Sequence, residues 1–317
     1  MNSAIEILGI TGPIYLAIAL GYIATRRGLF SSADMPVFGK FAVNIALPAL
    51  LFNALSQRSV GEIFNVQYMS AYAAGSLLMM GLGLWWARKV QRRSLSYSSL
   101  MAMGMACPNS GFVGYPIMLL TLGPVAGVAL ALNMVVENLV LIPILLAVAD
   151  SDGDKVGHWR HALVNTFKGL LKNPMIWGIV GGLAWSLSGW QLPAALGRTV
   201  NLFAAASAAL SLFVIGGSLV GLKVQGHKAT VWQITLGKLF FHPLAMIAVL
   251  MWIFPVADPA LRSAALLSAA LPMLGIYTIL NQRHGHGAVS AAALLVTTVV
   301  SFFTLSALLW VLRHNPI

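Results

Sequence analysis

"ACPNSGFVGYPI", residues 106–117, is the stretch on which the reading of this chain turns. Pro108 and Pro116 each lack a backbone donor, and Gly111 and Gly114 loosen the segment between them, so a helix is hard to carry through it. The surrounding sequence is almost uniformly apolar: 59% of the 317 residues are hydrophobic and 9% charged, whereas a soluble domain carries about 25% charged residues. In lipid, each unpaired backbone group costs several kcal/mol, so a helix interrupted there must line protein or a polar cavity.

The composition predicts an all-α polytopic membrane protein with the lipid bilayer as its solvent. Runs of roughly 20 apolar residues suffice to cross the hydrocarbon core. Ten are expected, at 5–25, 35–55, 67–87, 96–122, 124–149, 173–192, 195–221, 230–253, 259–282 and 286–312. With both termini outside, thirteen Lys and Arg residues fall in inside loops, among them Arg26, Arg88, Arg93, Lys172 and Arg283. Four (Arg58, Arg198, Arg262 and Arg313) fall outside, and this asymmetry is the signature of cytoplasmic loops in a cell (inner) membrane protein. The formal charge of +11 is therefore an orientation signal and not a nucleic-acid footprint. The start, "MNSAIEILGI", has no basic region or cleavage site of a signal peptide and reads as part of the first span. The single cysteine, Cys107, precludes an intramolecular disulfide.

A polar stretch at 150–172 divides the spans into two groups of five, residues 1–149 and 173–317. Five is odd, so related halves would lie inverted in the membrane. "NIALPALLF" (44–52) can be laid on "ASAALSLF" (206–213), and "MACPNSGFVGYP" (105–116) on "SAALPMLGIY" (268–277), the latter two each with a proline followed by a glycine at mid-span. A Gly/Pro interruption at matching points of two halves is the best sequence pointer to a transporter's binding site. A single proline more often only kinks a membrane helix for packing. Pro108, Asn109, Ser110, Gly111, Gly114 and Pro116, echoed by Pro272, Met273 and Gly275, favour a site.

"ALPALLF" in the second span, "PNSGFVGYPI" in the fourth, "KNPMIWGIVGG" opening the sixth and "LFVIGGSL" in the seventh resemble the auxin efflux carrier, or PIN-like, family across essentially all ten spans. The resemblance implies two inverted five-helix repeats and a scaffold of spans 1, 2, 6 and 7. A transport unit of spans 3–5 and 8–10 would move past it in an elevator-type cycle, and a homodimer would form through the scaffold. Helices 4 and 9 would cross at their breaks and bind a small organic anion. Two departures point to the bacterial malonate permease branch. Residues 67–87 hold no Lys, Arg, Asp or Glu, where plant carriers have an ionisable pair, and Ala209 replaces a proline common in the seventh span.

Asn109 is the leading candidate for substrate binding, because its amide can donate two hydrogen bonds to a carboxylate. Pro108, Ser110, Gly111, Pro272, Met273 and Gly275 complete the two breaks, and the half-helix after Ser110 would add donors and a positive dipole end. Asn44 in the second span is a further candidate; polar residues there also serve as helix–helix glue. Lys238 either faces the substrate as a counter-charge or snorkels to the interface. Glu137, deep in the fifth span, with Asn133 on its face, either carries a coupling proton or is a protonated or paired structural group. His242, four residues after Lys238 and just before Pro243, is a second proton-coupling candidate or a donor to a carbonyl that the proline leaves unpaired.

No cofactor or metal is called for. "DSDGD" (150–154) opens like a calcium loop, but its twelfth position is His161 instead of Glu. "RHGHG" (283–287) reads as a solvated turn. The expected function is a secondary transporter of a malonate-like dicarboxylate, with proton coupling as one option. The alternatives are an efflux carrier for auxin or another monocarboxylate, an intramembrane hydrolase using Ser110 and His242, and a sensor that binds the anion without moving it.

Overall fold

Proline sets the local geometry of several helices in the computed structural model, which describes residues 2–150, 168–169, 171–222, 228–275, 277–282 and 284–314. The described residues are helical, without a strand. Apart from the single turn Val60–Ile63, the helices are α1 (Asn2–Arg26), α2 (Met35–Ser56), α3 (Val66–Trp85), α4 (Leu95–Ala106), α5 (Ser110–Leu122), α6 (Val125–Ala149), α7 (Pro174–Ser188), α8 (Ala194–Ser218), α9 (Lys228–Trp252), α10 (Pro259–Ala270), α11 (Tyr277–Gln282) and α12 (Gly287–His314). A helix, or a pair of half-helices, falls on every apolar run expected from the sequence. Five of them (α2, α6, α8, α9 and α12) are long and apolar enough to cross a membrane, and α5 and α7 are shorter apolar helices. Most of the polar stretch 150–172, including all of "DSDGD" after Asp150, and also Lys223 and Arg283, lie outside the described residues.

Four helices contain one wide π turn each: Ala42–Ala46 in α2, Ser110–Gly114 in α5, Glu137–Leu141 in α6 and Gly237–Phe241 in α9. Each is followed two residues later by a proline: Pro48, Pro116, Pro143 and Pro243. A proline ring collides with the carbonyl of the residue four before it. That residue (Asn44, Phe112, Leu139 or Leu239) is the centre of the π turn in every case. Widening the turn lets the carbonyl clear the ring without ending the helix. The converse holds in α8, where Ala209 leaves 25 residues of uninterrupted α-helix, and in proline-free α12. Two helices depart from the rule: α1 contains Pro13 without a π turn, and the π turn after α3, Trp86–Val90, has no proline behind it.

Caps fix several starts. Ser94 Oγ accepts from Tyr97 N (3.2 Å) at α4, Asn173 Oδ1 from Met175 N (3.0 Å) at α7, and Asp258 Oδ1 from Ala260 N (2.8 Å) at α10. Each satisfies an amide that the first helical turn leaves without an internal partner.

The chain forms two compact units. The first comprises Met1–Val66, Ser110–Met134 and Leu171–Gly221, and the second Gln67–Asn109, Val135–Leu170 and Leu222–Ile317. In the first, α1 packs on α8 and α7 on α2. The backbones touch where small residues allow it: a Cβ on Gly216 would run into the Ile18 carbonyl, and one on Gly21 into that of Phe213. Such close approach is how helices associate where lipid removes the hydrophobic driving force. Phe30, Phe38 and Phe213 meet edge to face at 5.3–6.2 Å in the same unit. In the second, α4 packs on the end of α6 (Ser99 Oγ donates to the Leu145 carbonyl), and α12 lies against α9, α10 and α11.

Candidate functional site: two paired helix breaks

Within the second unit, α4 stops at Ala106 and α10 at Ala270 for the same local reason. The next residues, Cys107 and Leu271, each precede a proline, which biases them out of the helical region. Both are extended, with ψ of 111° and 155°. The two extended stretches pair as a single antiparallel bridge centred on Pro108 and Met273. Asn109 N donates to Pro272 O (2.8 Å) and Leu274 N to Cys107 O (3.0 Å).

This register makes Pro108 and Met273 the closely spaced pair whose own backbone groups point away from the partner segment. Proline therefore occupies a position where the bridge asks for no donor. The pairing also satisfies backbone groups released by both breaks, each of which would otherwise carry the full cost of an unpaired group in a lipid setting. The Asn109 amide nitrogen lies beside Gly275, 3.5 Å from where a Cβ would stand. Asn109 is 5% exposed and Met273 fully buried, while Gly275 is exposed. The sequence comparison of the two halves had placed these breaks at corresponding points, and the structure brings them into contact.

Ser110 and Gly111 open α5 and belong to the first unit. Both are buried, and Gly111 packs against Leu47 of α2. Asn44 is exposed, and its amide donates to the Lys40 carbonyl of its own helix at 2.7 Å.

The ionisable candidates line the second unit's interior. Tyr72 Oη donates to Glu137 Oε1 at 2.7 Å, with both residues buried. Lys238 is completely buried, so its side chain does not reach an interface by snorkelling. Its Nζ donates to the Ala269 carbonyl at 2.7 Å and lies 2.8 Å from His242 Nδ1. His242 Nε2 is 3.2 Å from Ser76 Oγ. An ammonium can only donate. With Lys238 protonated, His242 is thus the neutral tautomer that accepts at Nδ1 and directs its Nε2 proton at Ser76. The ring is held by these two side chains and not by a backbone carbonyl of its own helix. Cys107, Glu137 and Lys238 lie within electrostatic reach of one another.

Tyr72 and Ser76 were not singled out from the sequence. They stand four residues apart in "YAAGS", on one face of a span without charges, and that polar spacing was the available signal. Ala269 could not have been found, because it contributes only its carbonyl.

A helical chain with lipid-compatible surfaces and two helices broken and paired in one compact unit is a membrane transporter by class. Residues 11–311 match the model of the family described as "Membrane transport protein", and the chain belongs to that family. It is 26% identical over 313 residues to a Rhizobium meliloti protein named "Putative malonate transporter", covering 98% of each chain. It is 26% identical over 244 residues to the Escherichia coli "Uncharacterized transporter YfdV", covering 75% of this chain and 76% of the relative. It is also 22% identical to auxin efflux carrier component 8 of Arabidopsis thaliana, covering 84% of this chain and 86% of the relative. The resemblance read from the fourth-span motif is therefore to the right family.

Proposed function

We propose that this protein is a secondary transporter that moves a small dicarboxylate of the malonate class across the cell (inner) membrane. The observation that carries the reading is the antiparallel pairing of the two breaks at Pro108 and Met273, with the Asn109 amide beside exposed Gly275. The pair directs the Met273 N–H away from the bridge, and α5 begins immediately after Asn109. Asn109, Ser110 and these backbone groups hold one carboxylate of the substrate; Pro108, Gly111 and Pro272 keep the segments extended or open. The malonate class is favoured by the relative that covers 98% of the chain and by the uncharged third span.

The reading includes ten crossings in two inverted five-helix repeats, both termini outside, and a homodimer. Transport is alternating access of the elevator type, in which spans 3–5 and 8–10 carry the substrate past a scaffold of spans 1, 2, 6 and 7. Glu137, hydrogen-bonded by Tyr72, loads and releases the coupling proton, and His242 serves the same interior. The hydrolase reading loses support because both ring nitrogens of His242 are engaged, by Lys238 and Ser76, and neither serves Ser110 as a base.

The test is uptake into proteoliposomes of labelled malonate, malate, succinate and indole acetate, with and without an imposed pH gradient. Saturable malonate uptake that exceeds indole acetate uptake supports the reading. Binding in detergent without flux in liposomes would make the protein a sensor.

A further inference from the structure

The buried lysine of α9 is committed before any substrate arrives. Lys238 Nζ donates to Ala269 O, in the last turn of α10, three residues before Pro272. The Pro272 carbonyl is in turn the acceptor of Asn109 N across the bridge. The other contact of Nζ, His242 Nδ1, is steadied by Ser76 of α3, so the ammonium is held from two further helices. The π turn Gly237–Phe241 contains Lys238 itself.

Charge gives this placement a meaning. Both α4 and α10 end at the bridge, and helix C-termini carry partial negative charge. Two such ends oppose an anion. Carbonyls of a final helical turn lack internal partners, and a cation donating to one both satisfies it and offsets the dipole.

We infer that Lys238 is a positioning residue of the anion site: it clamps the C-terminal turn of α10, fixes the Pro272–Gly275 segment against Asn109, and cancels the negative helix pole beside the site without touching the substrate. The inference rests on the proposed anion-binding role of the breaks, and it replaces a direct counter-charge with an indirect one.

The experiment compares wild type, Lys238→Met, Lys238→Arg and Ser76→Ala in proteoliposomes. The first readout needs no substrate. Cys107, the only cysteine, is fully buried at the start of the first break. In Lys238→Met the unclamped bridge opens, and N-ethylmaleimide alkylates Cys107 about tenfold faster, the factor that about 1.4 kcal/mol of opening represents. Ser76→Ala, which leaves the lysine but frees His242, gives an intermediate rate, and it stands in if Lys238→Met does not fold. The second readout is charge-specific. Lys238→Met raises the half-saturation concentration for malonate more than for a monocarboxylate of similar size, whereas Lys238→Arg recovers part of that selectivity. A lysine that merely fills space would shift both anions equally. Unaltered Cys107 labelling in Lys238→Met and Ser76→Ala would overturn the clamp even with wild-type transport intact. Absence of anion uptake in the wild type would instead sink the proposed function and leave the labelling result standing.

Discussion

Replacing Asn109 by alanine separates what its backbone does from what its side chain does. The backbone N–H that binds Pro272 O at 2.8 Å is retained, so the bridge between the broken helices persists. The deleted group is the amide beside Gly275. A hydrogen bond to a charged partner contributes about 1.5–3 kcal/mol, which would weaken carboxylate binding by about 10- to 150-fold if nothing replaced it. A hydrated pathway lets water occupy the vacated volume, which brings the expected loss to about tenfold, the low end of that range. The assay is the concentration dependence of labelled malonate uptake by proteoliposomes. A raised half-saturation concentration with a preserved maximal rate is the expected pattern. A variant indistinguishable from wild type in both parameters would show that the paired breaks do not contact the substrate through Asn109.

Glu137→Gln should abolish any acceleration of uptake by an inward proton gradient while leaving counterflow exchange of malonate measurable; persistence of the acceleration would remove Glu137 from coupling. Ser110→Ala should leave uptake reduced but present, since a hydroxyl is one donor among several. Gly216→Ala forces a methyl into the Ile18 carbonyl, and overpacking of this kind costs about 1–3 kcal/mol, which a lowered melting temperature in detergent would register.

Much of the second unit was legible in local sequence, for reasons that are themselves local. Proline acts on its own neighbours, so "CPNSG" and "LPMLG" disclosed both breaks. The spacing of Lys238 and His242 likewise disclosed their contact, because residues four apart on a helix meet. What stayed hidden is non-local. Glu137 finds Tyr72 65 positions away, and Lys238 finds a carbonyl 31 positions away, pairings that only the packing of several helices decides. Asn44 was hidden in a different way. An amide in a membrane span suggests a ligand or a helix partner, yet here it turns back on Lys40 O in a turn widened by Pro48. The point at which the chain passes from one unit to the other, Asn109 to Ser110, was also invisible, since nothing in the motif marks which side of it belongs where.

The proline-linked π turns also change how these helices must be drawn. An α-helix advances about 100° per residue, and a π turn accommodates one residue more than an α turn. A helical wheel drawn with a constant step through Lys228–Trp252 therefore misassigns, by about one residue's rotation, every position on one side of Gly237–Phe241. Cysteine or tryptophan scans along α2, α6 and α9 will show a periodicity that slips once per helix, and the slip locates the turn.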